Sequence, residues 1–582
     1  MAQDPKQTDA FRLELEAKLR LDYTFDDLNW AYFWSLYEKK KFTSVKTPSK
    51  IRIFELNAPT PPTGTLLAFP TAIANPELMS QLPFLDYQSL LAAGKTYGQT
   101  AAKAQLWIKK MQAGIGSSMS RASYLALKQG RPEGAIKLGA KGTDLFAELC
   151  DPSAPEKKIS HSLVEVQVLQ AVYDASAGLF AQIDLHDILS TETRDSVQQV
   201  WNRKSRTDTG RTYSELIQVL PGLARSGETL QALIPTLDRA GALHFEKLAP
   251  GGHGLFAVEA LRAAVFDELR PKTEGRTLVA VLGNGEDLSS TPDPAIVGWM
   301  IEAQAAIVMI TTEKTANDRK GGQIAVVRAP AETFATIIEQ AQAKEAGQLA
   351  LFEELGLRAG DQMAFFNTNM ALFNYEVLSP KLKSLFAKVG EHEFMRIIAP
   401  DLIENWKGES LQLEGAMGSS LLNLDRYWRK HFGQPLVHFI NVTKETRTRF
   451  FSPIKSAFDF FMQFHSDRFT LNPLSLRLEN HRPGELPSVT LTDQYYSDVK
   501  NVLDSFQGVS VRDLTTLQVE GRVNFSGIAL AGKVGVKCLS PVRVELLPLL
   551  QHSGLPSRLN DVTVEIDTAG NLTLKPWLPA GA

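Results

Sequence analysis

Leu278-Val-Ala-Val-Leu-Gly-Asn-Gly-Glu-Asp-Leu288 is the stretch on which the fold turns. Its first five residues are apolar and β-favouring, and their number suits a strand buried on both faces. The chain then breaks into Gly283-Asn-Gly-Glu-Asp287, a turn with two carboxylates. Runs of the same kind recur at Ala306–Ile310, Ile324–Val327 and Leu436–Ile440, with helix-like stretches such as 293–304 and 331–344 between them. Strands alternating with helices predict an α/β class, a mostly parallel sheet covered by helices. In such sheets ligands sit beyond the carboxyl ends of the strands, where the Glu286–Asp287 loop falls.

The flanks read differently. Residues 1–105 are expected to be a mainly helical extension, with apolar positions spaced by three and four around Phe11, Leu15 and Leu19 and a loop at Pro59-Thr-Pro-Pro62. Residues 106–480 carry the α/β pattern, and 481–582 return to short β runs punctuated by glycine, a β-rich module in the manner of a few β-helix coils. The 582 residues suffice for several domains, and 44% hydrophobic with 22% charged residues is the composition of a folded globular protein. A net charge of −3 gives no field for nucleic acid or a membrane surface, though a local basic pocket for polyphosphate is compatible with it. No uncharged apolar run reaches transmembrane length and no signal-peptide core follows Met1, so the cytoplasm is the expected location. Two cysteines, Cys150 and Cys538, fit a reducing compartment and argue against thiolate metal sites.

Chemistry-bearing residues collect in six places. Gln112-Ala-Gly-Ile-Gly-Ser-Ser-Met-Ser-Arg121 sets Gly114 and Gly116 where backbone N–H groups can converge on phosphate oxygens. Ser117 and Ser118 add hydroxyl donors there, and Arg121 adds a guanidinium fork. Pro250-Gly-Gly-His-Gly254 sets His253 among glycines, suited to donating to a phosphate, with a surface turn as the plain alternative. Glu286 and Asp287 suit Mg²⁺, which takes one or two carboxylates alongside substrate phosphates; solvated loop acids are the other reading. Glu313–Gly322 is a charged, glycine-ended loop. Phe366-Asn-Thr-Asn369 and Gln412-Leu-Glu414 offer amides and a carboxylate matched to vicinal hydroxyls. Arg447–Lys455 ends on a lysine able to meet phosphoryl oxygens. Zinc chemistry is excluded at two sites: Glu391-His-Glu393 has no second histidine four residues on, and His253 has no Cys or His set around it.

In this order the motifs resemble the family of eukaryotic-type UTP–glucose-1-phosphate uridylyltransferases and their UDP-N-acetylhexosamine pyrophosphorylase relatives. Met111–Ser120 is similar to the family's Leu-Asn-Gly-Gly-Leu-Gly-Thr-Ser-Met-Gly loop, Gly252-His-Gly254 to its Gly-His-Gly-Asp, and Phe451-Ser-Pro-Ile-Lys455 to Phe-Ser-Pro-Leu-Lys. Lys314–Gly322, Phe366–Met370 and Gln412–Gly415 match further family elements. The resemblance implies a Rossmann-like nucleotidyltransferase domain with a short β-helical tail, and attack of a sugar 1-phosphate oxygen on the α-phosphorus of UTP, with pyrophosphate leaving. It implies that Gln112, Ala113, Gly114, Gly116, Ser117, Ser118, Lys141 and Gly252 bind the nucleotide, and that Arg121, His253 and Lys455 act on its phosphates and the sugar phosphate. Asn369 and Glu414 would hold sugar hydroxyls, and Mg²⁺ would sit at Glu286 or Asp287. Glucose 1-phosphate is the expected sugar; an N-acetylhexosamine 1-phosphate, a broad UDP-sugar specificity, or a binding protein without turnover are the alternatives. Departures from the family pattern are Ala113 for a glycine, Ser120 for a glycine, Leu255 for an aspartate and Glu286 for an aspartate. Assembly state is left open.

Overall fold

The computed structural model describes residues 5–22, 27–43, 65–68, 83–92, 94–151, 154–202, 222–231, 233–313, 315, 318, 322–328, 333–340, 344, 349–350, 365–484 and 486–577. The expected loop at Pro59–Pro62 and the residues Lys314, Arg319, Lys320 and Gly321 lie outside them. The sheet that positions the site contains β1 (Phe84–Asp86), β2 (Gln105–Met111), β3 (Gln182–Leu189), β4 (Leu223–Leu230), β5 (Leu278–Asn284), β6 (Ile307–Glu313), β7 (Phe365–Asn374) and β8 (Val437–Val442). Their order across the sheet is β1-β8-β6-β7-β5-β2-β3-β4. All neighbouring pairs on this path are parallel except the two that β7 makes, with β5 and with β6. The architecture is therefore mixed α/β; the expected strand runs at 278–282 and 324–327 fall within strands, and those at 306–310 and 436–440 do so from Ile307 and Val437 on.

Register explains the site's location. Asn284 at the end of β5 lies opposite Met111 at the end of β2, so the Glu286 loop and the glycine loop leave the sheet side by side. Being antiparallel, β7 brings its first residues to the same rim: Phe365 pairs with Glu313, the last residue of β6. Between Ile310 and Thr311 the pairing jumps from Met370 to Asn367, leaving Thr368 and Asn369 as a bulge. Asn369 has φ 57°, a left-handed conformation that asparagine tolerates better than most residues. Bulges re-aim side chains, and this one sits on the rim of the cleft.

Three departures from the sequence reading concern secondary structure. The helix expected over 331–344 contains instead the strand Thr333–Ile338, paired antiparallel with Gln323–Arg328. Phe334, Thr336 and two isoleucines make it β-favouring, and over 334–337 burial alternates, with Ala335 and Ile337 buried and Phe334 and Thr336 less so. The 1–105 region, read as helical, contributes β1 to the large sheet, and Thr65–Ala68 pairs with Gln323–Arg328. A second, antiparallel sheet of Leu233–Leu237, Leu243–Pro250, Leu402–Lys407 and Ser410–Gly415 was not foreseen; it ends on Gly251–His253 and carries Glu414.

The helix Asp27–Thr43 buries Trp30, Tyr32, Phe33, Trp34, Leu36 and Tyr37. A helix so apolar around its circumference must lie inside the protein, and its residues share one core cluster with β5 and the helix Gly252–Val265. Near the other end of the chain, Ser488–Leu491, Leu514–Glu520, Ala529–Cys538 and Arg558–Ile566 pair in parallel, and Leu572–Pro576 closes the sheet antiparallel. Its apolar residues form one cluster with Met119, Tyr124 and Leu125, just beyond the glycine loop. Ser120 N–H donates to the Ser497 carbonyl at 3.0 Å, and the Ser123 hydroxyl donates to Asp498 at 2.8 Å. Among the described residues no helix is long and apolar enough to cross a membrane.

Candidate active site

The rim loops enclose a cleft of about 400 Å³. Of the residues singled out in the sequence, Gly114, Gly116, Lys141, His253, Glu286, Asn369 and Lys455 line it. Ser117 and Ser118 stand on the exposed tip of the glycine loop. Gln112, Ala113, Arg121 and Asp287 are instead buried.

Gly116 has φ +60°, and a Cβ there would lie 2.6–2.7 Å from three methylene carbons of Lys141. Only glycine leaves room for the lysine to cross the loop. Its ammonium then donates to Glu286 Oε1 at 2.7 Å and to the Ile454 carbonyl at 2.9 Å. Burial alone would raise the Glu286 carboxyl, but the Lys141 charge outweighs it and holds the group below its ordinary value. Glu286 is thus an ionised carboxylate in the cleft.

Arg121 corrects the sequence reading. It is fully buried, and its guanidinium is spent on the protein. Nε and Nη2 donate to Asp144 Oδ2 at 3.2 and 2.8 Å, Nη1 to the carbonyls of Gly116 and Met119 at 3.0 and 3.1 Å, and Nη2 to that of Ile115 at 2.6 Å. In a trans peptide the carbonyl and the following N–H point oppositely, and no peptide bond here is cis. Drawing the Ile115 and Gly116 carbonyls inward therefore turns the N–H groups of Gly116 and Ser117 away from the arginine. Arg121 shapes the loop from behind and does not reach into the cleft.

Gln112 and Ala113 also work from behind. The Gln112 amide donates to the Gly285 carbonyl at 3.0 Å, tying the glycine loop to the acid loop, and the Ser190 hydroxyl donates to the Ala113 carbonyl at 2.7 Å. Asp287 is the second acid the sequence offered for a metal, and its carboxylate accepts from the N–H groups of Ser289 at 2.8 Å and Ser452 at 3.1 Å. Burial raises its pKa to about 6 despite Lys110 nearby. Successive acids in a turn face apart, and here only Glu286 faces the cleft. Lys110, itself buried and pushed down to about 8 by that burial, donates to the Ser290 carbonyl at 2.5 Å.

Gly252 and Glu414 are not among the residues that line the cleft; Gly252, next to His253, opens the helix Gly252–Val265 with φ +74°. A Cβ on it would press on Glu414, 3.2 Å from its Cβ and 3.3 Å from Oε2. The His253 Nε2 lies 3.0 Å from Asn284 Oδ1, which seats the imidazole over the end of β5. Asn369 Oδ1 accepts from Asn367 Nδ2 at 2.8 Å.

Lys455 is half exposed, with its ammonium 3.8 Å from Asp318 Oδ1 and 5.2 and 5.6 Å from the ring centres of Phe366 and Phe451. Its own N–H donates to Asp459, the acid of the Ser456–Asp459 capping box that starts the helix Ala457–Phe464. Asp318 receives both Arg447 nitrogens at 2.6 and 2.8 Å together with the Thr315 N–H and hydroxyl, and the Arg447 guanidinium above all overcomes burial to bring its pKa to about 2. Asp318 and Arg447 lay inside the quoted stretches, but nothing marked them out until they met across the fold. Asn367, one of the amides the sequence offered for hydroxyls, also lines the cleft, as do Asn284, Phe366 and Glu339, to which the sequence reading assigned no role.

Fold and cleft together define an α/β protein with an anion-lined and cation-lined ligand site at the carboxyl ends of its strands. Residues 190–530, more than half of the chain, match the model of the UTP–glucose-1-phosphate uridylyltransferase family, and the chain belongs to that family. Curated relatives include UTP–glucose-1-phosphate uridylyltransferases of Hordeum vulgare, 28% identical over 51% of this chain and 56% of that protein, and of Encephalitozoon cuniculi, 25% identical over 53% and 55%. The chain spans about half the length of the curated relatives it matches. Among solved structures, a mutant UDP-glucose pyrophosphorylase of Leishmania major in complex with UDP-glucose superposes with a TM-score of 0.62 at 18% identity, covering 95% of this chain and 99% of that one. A UDP-glucose phosphorylase of Trypanosoma brucei gives 0.61 at 17% identity, over 95% and 99%. At these identities the structures speak to fold alone.

Proposed function

We propose that this protein joins UTP and a sugar 1-phosphate, glucose 1-phosphate first among them, to give a UDP-sugar and pyrophosphate. The observation that carries the reading is the meeting, in one cleft, of loops drawn from five parts of the chain: Gly114–Gly116, Lys141, His253, Glu286 and Lys455. Membership of the family and the UDP-glucose bound by the Leishmania relative support it. The 106–480 segment is then a Rossmann-like nucleotidyltransferase domain to whose sheet the 1–105 region adds a strand, followed by a β-helix-like tail (481–582). The free cysteines Cys150 and Cys538 suit a reducing cytoplasm.

The chemistry needs no protein nucleophile. A phosphate oxygen of the sugar 1-phosphate attacks the α-phosphorus in line, and pyrophosphate departs. The protein's part is alignment and charge neutralisation. The outward N–H groups of Gly116 and Ser117 and the Lys141 ammonium receive the polyphosphate. The half-exposed Lys455 ammonium and the His253 imidazole receive the sugar phosphate and α-phosphate, while Asn369 and Glu414 accept from and donate to the sugar hydroxyls according to their types. The donor set suits Mg²⁺ in one way only. Among the described residues no three His, Cys, Asp or Glu side chains gather, so no protein cage exists, but Glu286 supplies the single carboxylate that Mg²⁺ takes alongside phosphates. Held there, the ion would neutralise charge on the leaving pyrophosphate.

The test is pyrophosphate release from UTP, with and without Mg²⁺, across the 1-phosphates of glucose, galactose, N-acetylglucosamine and N-acetylgalactosamine. Release with glucose 1-phosphate alone is the expected result. Release with several sugars would make the specificity broad, and release only with N-acetylhexosamine phosphates would move the protein to that branch. Saturable UTP binding without release from any of them would refute the enzymatic reading and leave a nucleotide-binding protein.

A further inference from the structure

The phenol of Tyr32 is fully buried and lies against the turn that carries His253, next to the strand end that carries Glu414. Its hydroxyl donates to the Gly251 carbonyl at 2.8 Å, across 219 residues of chain. The same oxygen lies against Gly254, where an added Cβ would stand 2.7 Å from it and 2.9 Å from the Gly415 carbonyl. Leu255 belongs to the first turn of the helix that carries His253, and Gly415 follows Glu414. The Tyr32 hydroxyl therefore holds the Gly251–Leu255 turn where Gly254 abuts the end of the Ser410–Gly415 strand. The glycines are fitted to this contact. A Cβ on Gly254 would come within 2.7 Å of the Tyr32 oxygen and 2.6 Å of Pro400, and a Cβ on Gly251 within 3.3 Å of the tyrosine ring.

The helix is anchored at a second point. Lys39, two turns on from Tyr32, donates to the carbonyls of Ala399 and Pro400 at 2.9 and 2.7 Å. Pro400 in turn packs where a Cβ on Gly415 or Gly254 would stand, 2.4 and 2.6 Å away. The helix Asp27–Thr43 thus grips the turn, the strand end and the segment between them from one side. It lies outside residues 190–530, the stretch that matches the family model, so the grip is supplied from beyond that stretch.

We infer that Tyr32 is a positioning residue for the sugar phosphate: its hydroxyl fixes Gly252 and His253 relative to Glu414, and through them the sugar half of the cleft, while leaving the nucleotide half to the glycine loop and Lys141. The inference rests on the proposed uridylyl transfer. The Tyr32 hydroxyl touches no substrate and acts only through the backbone it holds. Removing it takes one donor from the Gly251 carbonyl in a buried place, where water does not replace the lost bond.

The experiment compares Tyr32→Phe with the unaltered full-length chain in two readouts. In pyrophosphate release, KM for the sugar 1-phosphate is expected to rise about 5- to 50-fold, with KM for UTP within twofold of its starting value. In hydrogen exchange without substrates, the amides of Gly252–Leu255 and Gly415 are expected to exchange at least about fivefold faster, with the glycine loop 114–118 unchanged. A structural role alone would raise both KM values together or speed exchange across the protein, and either result overturns the inference. So does unchanged exchange at Gly252–Leu255. If the unaltered chain releases no pyrophosphate, the uridylyl-transfer reading fails, and the exchange comparison still decides whether Tyr32 holds the two motifs. Should Tyr32→Phe not fold, Lys39→Met probes the same grip at Pro400: faster exchange at Gly415 with the glycine loop unchanged supports it, and no change refutes it.

Discussion

Gly116→Ala should act on catalysis through Lys141, and a double-mutant cycle can show it. The added methyl would sit 2.6–2.7 Å from the Cγ, Cδ and Cε of Lys141, about 1 Å inside ordinary van der Waals contact, so the lysine has to leave its path across the loop. Both of its bonds, to Glu286 at 2.7 Å and to Ile454 at 2.9 Å, go with it. A hydrogen bond to a charged group contributes about 1.5–3 kcal/mol, which corresponds to a roughly 10- to 150-fold fall in kcat/KM for UTP if the displaced ammonium is the one that meets the polyphosphate. The backbone adds a separate cost of about 1–2 kcal/mol in stability, because φ +60° at Gly116 is a conformation that alanine adopts poorly. Lys141→Ala removes the ammonium without the backbone strain and vacates the space the new methyl needs. The two single variants should therefore lower kcat/KM to a similar degree, and the double variant should fall no further than about twofold below Lys141→Ala. Thermal unfolding should show the backbone cost in Gly116→Ala and again in the double variant. Initial rates of pyrophosphate release at subsaturating UTP read the first quantity. If the two effects on kcat/KM multiply, Gly116 does not act by making room for Lys141, and the reasoning fails.

Arg121→Gln should cost stability first: it leaves Asp144 buried without its charge partner, a loss of about 3–5 kcal/mol seen as a large drop in unfolding temperature. A direct phosphate contact would instead lower turnover and leave unfolding unchanged. Lys455→Met should do the opposite, shifting stability by no more than about 0.5 kcal/mol because the side chain is half exposed, while turnover falls tenfold or more. For Asp318 the sign follows from its depressed pKa of about 2. The ionised form stabilises the fold, in full above the ordinary value of 3.8, and this is lost as pH falls toward 2, about 2 kcal/mol in all. Urea unfolding between pH 5 and pH 2.5 should weaken more steeply in the unaltered protein than in Asp318→Asn, and parallel curves would count against the Arg447–Asp318 pair as the cause.

How much of this was legible depended on where a residue's partner lies. Of the large sheet, β5, β6 and β8 announced themselves because a strand buried on both faces is a continuous apolar run, as at Leu278–Leu282, whereas β1 to β4, with polar or charged residues among their apolar ones, did not. The antiparallel β7 did not, since its Asn367-Thr-Asn369 start has the composition of a turn and is in fact a bulge within a strand. Thr333–Ile338 was read as helix because its neighbours on either side supplied helix formers, whereas pairing with Gln323–Arg328 decides its state. For the site, residue type and spacing identified Gly116, His253, Glu286, Asn369 and Lys455, and the family resemblance added Lys141; all line the cleft. The same signals could not say that Arg121 and Asp287 turn inward, because a guanidinium beside a glycine loop looks alike in sequence whether it faces phosphate or backbone carbonyls.

The residues that tie one loop to another share one property that bears on how the site works. Gln112 reaches Gly285 across 173 positions, Lys141 reaches Ile454 across 313, and Tyr32 reaches Gly251 across 219. Each bond joins loops that the sheet alone would leave free to move apart, since the strands fix only where a loop begins. A reaction driven by alignment of two phosphates is sensitive to such movement, and displacements on the order of 1 Å can cost about a hundredfold in rate. The groups that touch substrate and the groups that keep them in register are thus under equal demand. Only the first kind, placed on exposed loops at strand ends, leaves a local trace in the sequence; the second is written in pairs whose members are far apart, and the folded chain is needed to bring them together.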